Sequence, residues 1–280
     1  MAIKTILVCL TTEANADELM TAACILARRH NAHLVGLHTM EALLVYPGIA
    51  MHVPGPAFAQ FNSSQKAQAK AIEQVFTAHT RAEDFVSEWR LVKAESSTAG
   101  DRIVESAHAA DLLVMSQENP ETDRADQADI QRRLIRDSGR PVLVIPHGYK
   151  TDEIGKNVLI GWSATREATR AAHDCLNILQ KGAEVHLLSI ADSTAQEEQA
   201  AITQNDLAAT IARHDAGVNV VHRARGGSDI TDILMQEAFE RGADMAVTGA
   251  FGHSRFYDFV IGAATRELLQ KMKIPVLFSK

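Results

Sequence analysis

Aromatic residues are scarce in this sequence. Phe, Trp and Tyr make up 5% of its 280 positions, while the hydrophobic set as a whole makes up 46%. The core must therefore be aliphatic and rich in alanine. Cysteine is nearly absent as well: Cys9, Cys24 and Cys175 lie far apart, with no CxxC pair. That excludes a disulfide framework and leaves three small hydrophobes suited to a reduced compartment. Positive charge is in deficit, with 28 Lys and Arg against 35 Asp and Glu, for a net charge of −7. Nucleic-acid backbones demand the opposite balance, clustered on one face. No apolar run approaches the roughly 18 residues needed to cross a bilayer. The opening "MAIKTILVCLTTEANAD" turns acidic too early for a secretory signal. These absences predict a cytoplasmic protein of about two domains, with neither nucleic acid nor membrane as a partner.

What the chain does have is an internal repeat. "TILVCLTTEANADELMTAACILARRHNAHLVGLHTM" opens it, and "NVLIGWSATREATRAAHDCLNILQKGAEVHLLSIAD" follows with Val158 standing 152 positions after Ile6. Both pieces read apolar run, polar turn, amphipathic helix, turn, apolar run. Ala168, Ala171, Ala172, Cys175, Leu176 and Leu179 recur at helical spacing, as do Ala16, Leu19, Met20, Ala23, Leu26 and Ala27. The flanking runs are short and almost continuously apolar, as strands buried on both faces are. "ADLLVMS" (110–116) matches "ADMAVTG" (243–249), and "RPVLVIP" (140–146) matches "IPVLFSK" (274–280). "FVSEWRLVK" (85–93) and "GVNVVHRAR" (217–225) supply a further strand each. The pattern predicts two doubly wound α/β domains, residues 1–150 and 151–280. Each is a five-stranded parallel sheet flanked by helices, and the polar "HGYKTDEIGK" joins them. "PVLVIP" and "PVLFSK" read as apolar, pairable edges, which predicts either a homodimer or a pseudo-dimer of the two halves. Residues 41–61 are apolar, but three prolines and two glycines bar a regular helix through their middle; a loop packed over its own domain, or a lid or partner contact, is expected there.

The remaining question is "TGAFGHSRFYDFVIGAATRELLQ" (248–270), in which Gly249, Gly252 and Gly262 follow a strand and precede a helix. Open parallel sheets bind ligands beyond the carboxyl ends of their strands, where strand order reverses. Glycines there let backbone approach a ligand. With Gly262 at the helix N-cap, the amides of Ala263, Ala264 and Thr265 make an anion site at the positive end of the helix dipole. The Thr265 hydroxyl adds a donor, and His253, Arg255 and Arg266 add positive charge.

The pattern Gly249-x2-Gly252-x9-Gly262, followed by Thr265 and "IPVLF", resembles the universal stress protein family, and the repeat extends that resemblance over almost the whole chain. The resemblance implies ATP or AMP, with or without Mg2+. It places phosphates at Gly252 and Gly262, ribose near Gly249 and Ala250, and the nucleoside near Ser163 and Ile190. Two residues depart from the pattern. The family usually has Ser or Thr where this chain has Ala263, and a lost hydroxyl bond to phosphate costs about 1.5–3 kcal/mol, or ~10–100-fold in affinity. It also tends to have Asp where this chain has Ser163. In the first half "QENPETDRADQADIQRRLIRDSG" has no glycine until Gly139 and is acidic, so that half is read as degenerate and nucleotide-free, its charges a solvated helix face.

Other motifs carry less. "GWSAT" lacks the final glycine of a nucleophile elbow. "GGSD" (226–229) reads as a turn and helix cap. No P-loop is present, and His30, His33 and His38 lack a fourth ligand at zinc spacing. The expectation is a non-catalytic or weakly catalytic adenine-nucleotide regulator in a stress response, with an unidentified protein partner and no catalytic residue. A nucleotide-free scaffold is the alternative.

Overall fold

The computed structural model describes residues 2–40, 55–94, 98–122, 124–251 and 263–280. The first half runs β1 (Thr5–Cys9), α1 (Ala16–His30), β2 (His33–Met40), α2 (Gly55–Thr80), β3 (Ser87–Lys93), α3 (Ala99–Ala107), β4 (Leu112–Ser116), α4 (Gln127–Asp137) and β5 (Val142–Ile145). The second half runs β6 (Asn157–Trp162), α5 (Arg166–Cys175), β7 (Glu184–Ala191), α6 (Thr194–Ala212), β8 (Gly217–Ala224), α7 (Ile230–Glu240), β9 (Met245–Gly249), α8 (Ala263–Lys271) and β10 (Val276–Ser279).

Strand order is β3-β2-β1-β4-β5-β10-β9-β6-β7-β8. Each half is thus a five-stranded parallel sheet whose order reverses beside its first strand, as the repeat implies. The runs read as pairable edges, "PVLVIP" and "PVLFSK", pair with each other inside the chain. β5 and β10 pair antiparallel with each other, Leu143 opposite Leu277, and fuse the halves into one ten-stranded sheet. The free edges are β3 and β8, which accounts for their alternating, half-exposed sequences.

Alternate strand residues feed two cores. Ile6, Val8, Leu143, Val158, Ile160 and Leu277 face α1, α2, α5 and α6. Leu7, Cys9, Val144, Leu159, Ala246 and Phe278 face α3, α4, α7 and α8. Each core runs without a break across both halves. All three cysteines are free and buried in these layers. In α1, Asp17 and Glu18 stand in the first turn and Arg28, Arg29 and His30 in the last, complementing the helix dipole. Asn31 ends it in the left-handed conformation.

Two local expectations change. The apolar stripe through Leu179 outruns its helix: α5 stops at Cys175, and Leu176 and Leu179 pack on the core from the following turn. Residues 55–61, expected to be loop, are the first turns of the 26-residue α2. Pro56 is tolerated there because a first-turn N–H has no helical acceptor.

Candidate functional site

Order reverses between β6 and β9, so the crevice of the second half opens at their carboxyl ends. Ser163 follows β6, exposed, with Oγ 3.2 Å from Thr165 Oγ1. Thr165 caps α5 by accepting the Ala168 N–H at 3.3 Å. Ile190 stands half-buried near the end of β7. Beyond β9, Ala250 is fully buried and donates its N–H to Ser279 O at 2.8 Å. Phe251 then turns the chain with φ +52°, left-handed for a non-glycine residue. Its N–H donates to Thr265 Oγ1 at 3.3 Å. Thr265 is buried in the first turn of α8. Its oxygen thus accepts an N–H from the chain leaving β9. Ala263 and Ala264 are exposed at the same helix start. Gly252, His253, Arg255 and Gly262 lie outside the described residues. The structure therefore brings Ser163, Ile190, Gly249, Ala250, Ala263, Ala264 and Thr265 to one end of the sheet.

Gly249 has a packing reason to be glycine. A Cβ there would lie 2.5 Å from both Ala168 N and the Glu167 carbonyl carbon, so the first turn of α5 sits directly on it. Beside α8, the carboxylates of Asp229, Asp232 and Glu267 approach within 4.8 Å of one another. Lys271 Nζ supplies the counter-charge, 2.8 Å from Asp232 and 2.7 Å from Glu267; these hydrogen bonds hold its pKa above the usual lysine value. "GGSD" is a turn, Gly226 and Gly227 at φ +57° and +82°, with Asp229 at the α7 N-cap making no side-chain cap bond.

The equivalent crevice of the first half is filled. The loop after β4 folds inward and buries Arg124, a residue that the sequence reading missed because it treated this stretch as a solvated face. Its Nη1 donates to Thr11 O at 3.2 Å and Thr39 O at 3.1 Å. Its Nη2 donates to Thr39 Oγ1 at 3.0 Å, and its Nε to Asp126 Oδ1 at 2.8 Å. Buried Gln127 holds the loop, donating to Asn119 O, Thr122 Oγ1 and Arg124 O. Nearby, His38 is fully buried, its Nδ1 2.6 Å from Leu10 O and its ring stacked on Trp89. Burial drives its pKa down to about 4, with Arg124 adding to the shift.

The model of the universal stress protein family matches the chain twice, over residues 2–146 and 155–280. A search of curated proteins found no match. Among solved structures, a universal stress protein from Archaeoglobus fulgidus DSM 4304 superposes with TM-score 0.72 at 12% identity, covering 98% of this chain and 96% of its own. A functionally unknown protein from Pseudomonas aeruginosa PAO1 gives 0.58 at 16%, covering 100% and 93%. The cytoplasmic domain of a prokaryotic cation chloride cotransporter gives 0.52 at 14%, covering 99% and 95%. At these identities the likeness to solved structures is one of fold. Among the described residues no helix is long and apolar enough to cross a membrane.

Proposed function

The chain belongs to the universal stress protein family, in tandem form, and from that premise we propose that its second half binds ATP or AMP as a regulator rather than a catalyst. The observation that carries this reading is the start of α8. Ala263 and Ala264 are exposed there, and Thr265 ties that helix end to the chain leaving β9 at the switch point. First-turn N–H groups and the helix dipole favour phosphate. On this reading Gly252 and Gly262 flank the phosphates, Gly249 and Ala250 lie toward the ribose, and Ser163 and Ile190 toward the nucleoside. His253 and Arg255 add positive charge. Occupancy alters contacts with a protein partner in the cytoplasm. The first half is nucleotide-free, because Arg124 and the loop carrying it fill the corresponding crevice. The test is mass spectrometry of what purified protein releases on denaturation. Adenine nucleotide from the wild type, and none from Gly262→Asp, is expected; an empty wild type refutes it.

A nucleotide-free scaffold is the second reading. It is favoured by two residues whose roles need no ligand: Gly249 is required by α5, and the Thr265 oxygen is taken by Phe251. It predicts a stable oligomer and no binding at millimolar ATP.

A further inference from the structure

The two crevices can be aligned through strand register alone. Cys9 pairs with Leu37 and Gly161 with Leu188. Two residues further on, Thr11 therefore stands where Ser163 stands, and Thr39 where Ile190 stands. The groups that the first half presents at these positions are oxygens: the Thr11 carbonyl, the Thr39 carbonyl and the Thr39 hydroxyl. Asp126 adds a carboxylate from the other side. Four acceptors around one small volume repel an anion and attract a cation that carries several N–H donors in one plane.

One such cation is already there. We propose that the first-half crevice is a guanidinium site, filled in cis by Arg124. The side chain of Arg124 is only 4% exposed. Its Nη1 spans the carbonyls of two neighbouring strands, reaching Thr11 O at 3.2 Å and Thr39 O at 3.1 Å. Its Nη2 takes Thr39 Oγ1 at 3.0 Å and Asp126 Oδ2 at 3.5 Å, and its Nε takes Asp126 Oδ1 at 2.8 Å. All five N–H groups of the planar fork thus meet oxygen, an arrangement that an ammonium group, with three donors on a point charge, does not reproduce. The Thr11 and Thr39 carbonyls and the Thr39 hydroxyl come from the ends of β1 and β2 whatever residue follows β4, so the sheet supplies three of the four acceptor groups, while the loop supplies Asp126 together with the occupant. On the function proposed above, ligand preference is inverted between the halves: an anion in one, a cation in the other.

The inference needs no nucleotide and is tested without one. Arg124→Ala removes the occupant and leaves its acceptors, so free guanidinium is the probe. The variant is expected to unfold at lower temperature than the wild type. With about 50 mM guanidinium chloride, a concentration too low to denature, it is expected to recover roughly 2–6 °C relative to equimolar sodium chloride. The wild type, already filled, shows no such gain. Thr39→Val on the Arg124→Ala background deletes one acceptor and reduces the recovery. Where Arg124→Ala does not accumulate in folded form, refolding yield with and without guanidinium is read instead, and a guanidinium-specific increase is expected. No recovery in either measurement, or the same recovery with sodium or in the wild type, overturns the proposal.

Discussion

Gly249→Ala separates a packing glycine from a ligand glycine. The backbone of Gly249 lies outside the left-handed region, so alanine incurs no conformational strain there. The added methyl instead meets α5, 2.5 Å from Ala168 N and from the Glu167 carbonyl carbon. Both atoms are backbone, which no rotamer change relieves, so the first turn of α5 must move off β9. Overpacking of this kind costs about 1–3 kcal/mol. In a chain of this length that lowers the melting temperature by roughly 2–6 °C. The control is Gly217→Ala on β8, where the nearest atom to a new Cβ is Ala183 O at 3.9 Å. Alanine there removes only the flexibility of a strand glycine and gains about 0.5–1 kcal/mol. Both variants are measured by calorimetry on nucleotide-stripped protein, so that no ligand contributes. Opposite signs are expected. A Gly249→Ala protein as stable as the wild type refutes the packing argument and returns Gly249 to the ligand.

Two further outcomes follow from single side chains. His38 binds its proton at about 4 when folded and near 6.5 when unfolded. Between those values the unfolded chain carries the extra proton, so stability rises with pH across that window and falls as acid is added, by about 3 kcal/mol in all. Urea midpoints from pH 4 to 7 test this, and His38→Gln is expected to flatten the slope by close to one proton; an unchanged slope rejects it. Ala263→Ser restores a hydroxyl at the first residue of α8 and is expected to tighten ATP or AMP about tenfold or more by isothermal titration, whereas unchanged or weaker binding counts against phosphate at that helix start.

Much of the sheet was legible because its inner strands are short and largely apolar, "TILVC" and "NVLIGW" among them. The repeat then ordered them, since two copies of one pattern imply one winding. The pairing of β5 with β10 was not legible as such: an apolar run shows that it wants a neighbour, not which neighbour it gets. The length of α5 was misread because a turn after Cys175 keeps Leu176 and Leu179 on the buried side, prolonging the helical spacing past the helix. Gly249 was assigned to a ligand because sequence cannot distinguish a glycine approached by phosphate from one approached by a helix. Arg124 was invisible for a deeper reason. Charged loop residues usually face water, and three of its five contacts are to main-chain carbonyls or a threonine hydroxyl, which leave no signature in sequence.

The two halves differ where their loops differ and agree where their strands begin. Asp111 accepts the N–H groups of Lys4 and Thr5 at 2.8 and 3.0 Å. Its counterpart Asp244 accepts those of Gly155, Lys156 and Asn157 at 2.6, 2.8 and 2.8 Å. A carboxylate before the fourth strand of each half thus fastens the entry to the first strand in the same way. At the opposite end, the chain after β4 brings in a cation and closes the crevice, while the chain after β9 hands its second N–H, that of Phe251, to Thr265 and leaves the helix start exposed. Because the strands and their amino-end joints are shared, the halves differ at the carboxyl end through the residues between β4 and α4 in one copy and between β9 and α8 in the other. Membership of the family therefore fixes the frame for both halves at once, but what each half binds has to be argued from its own loop.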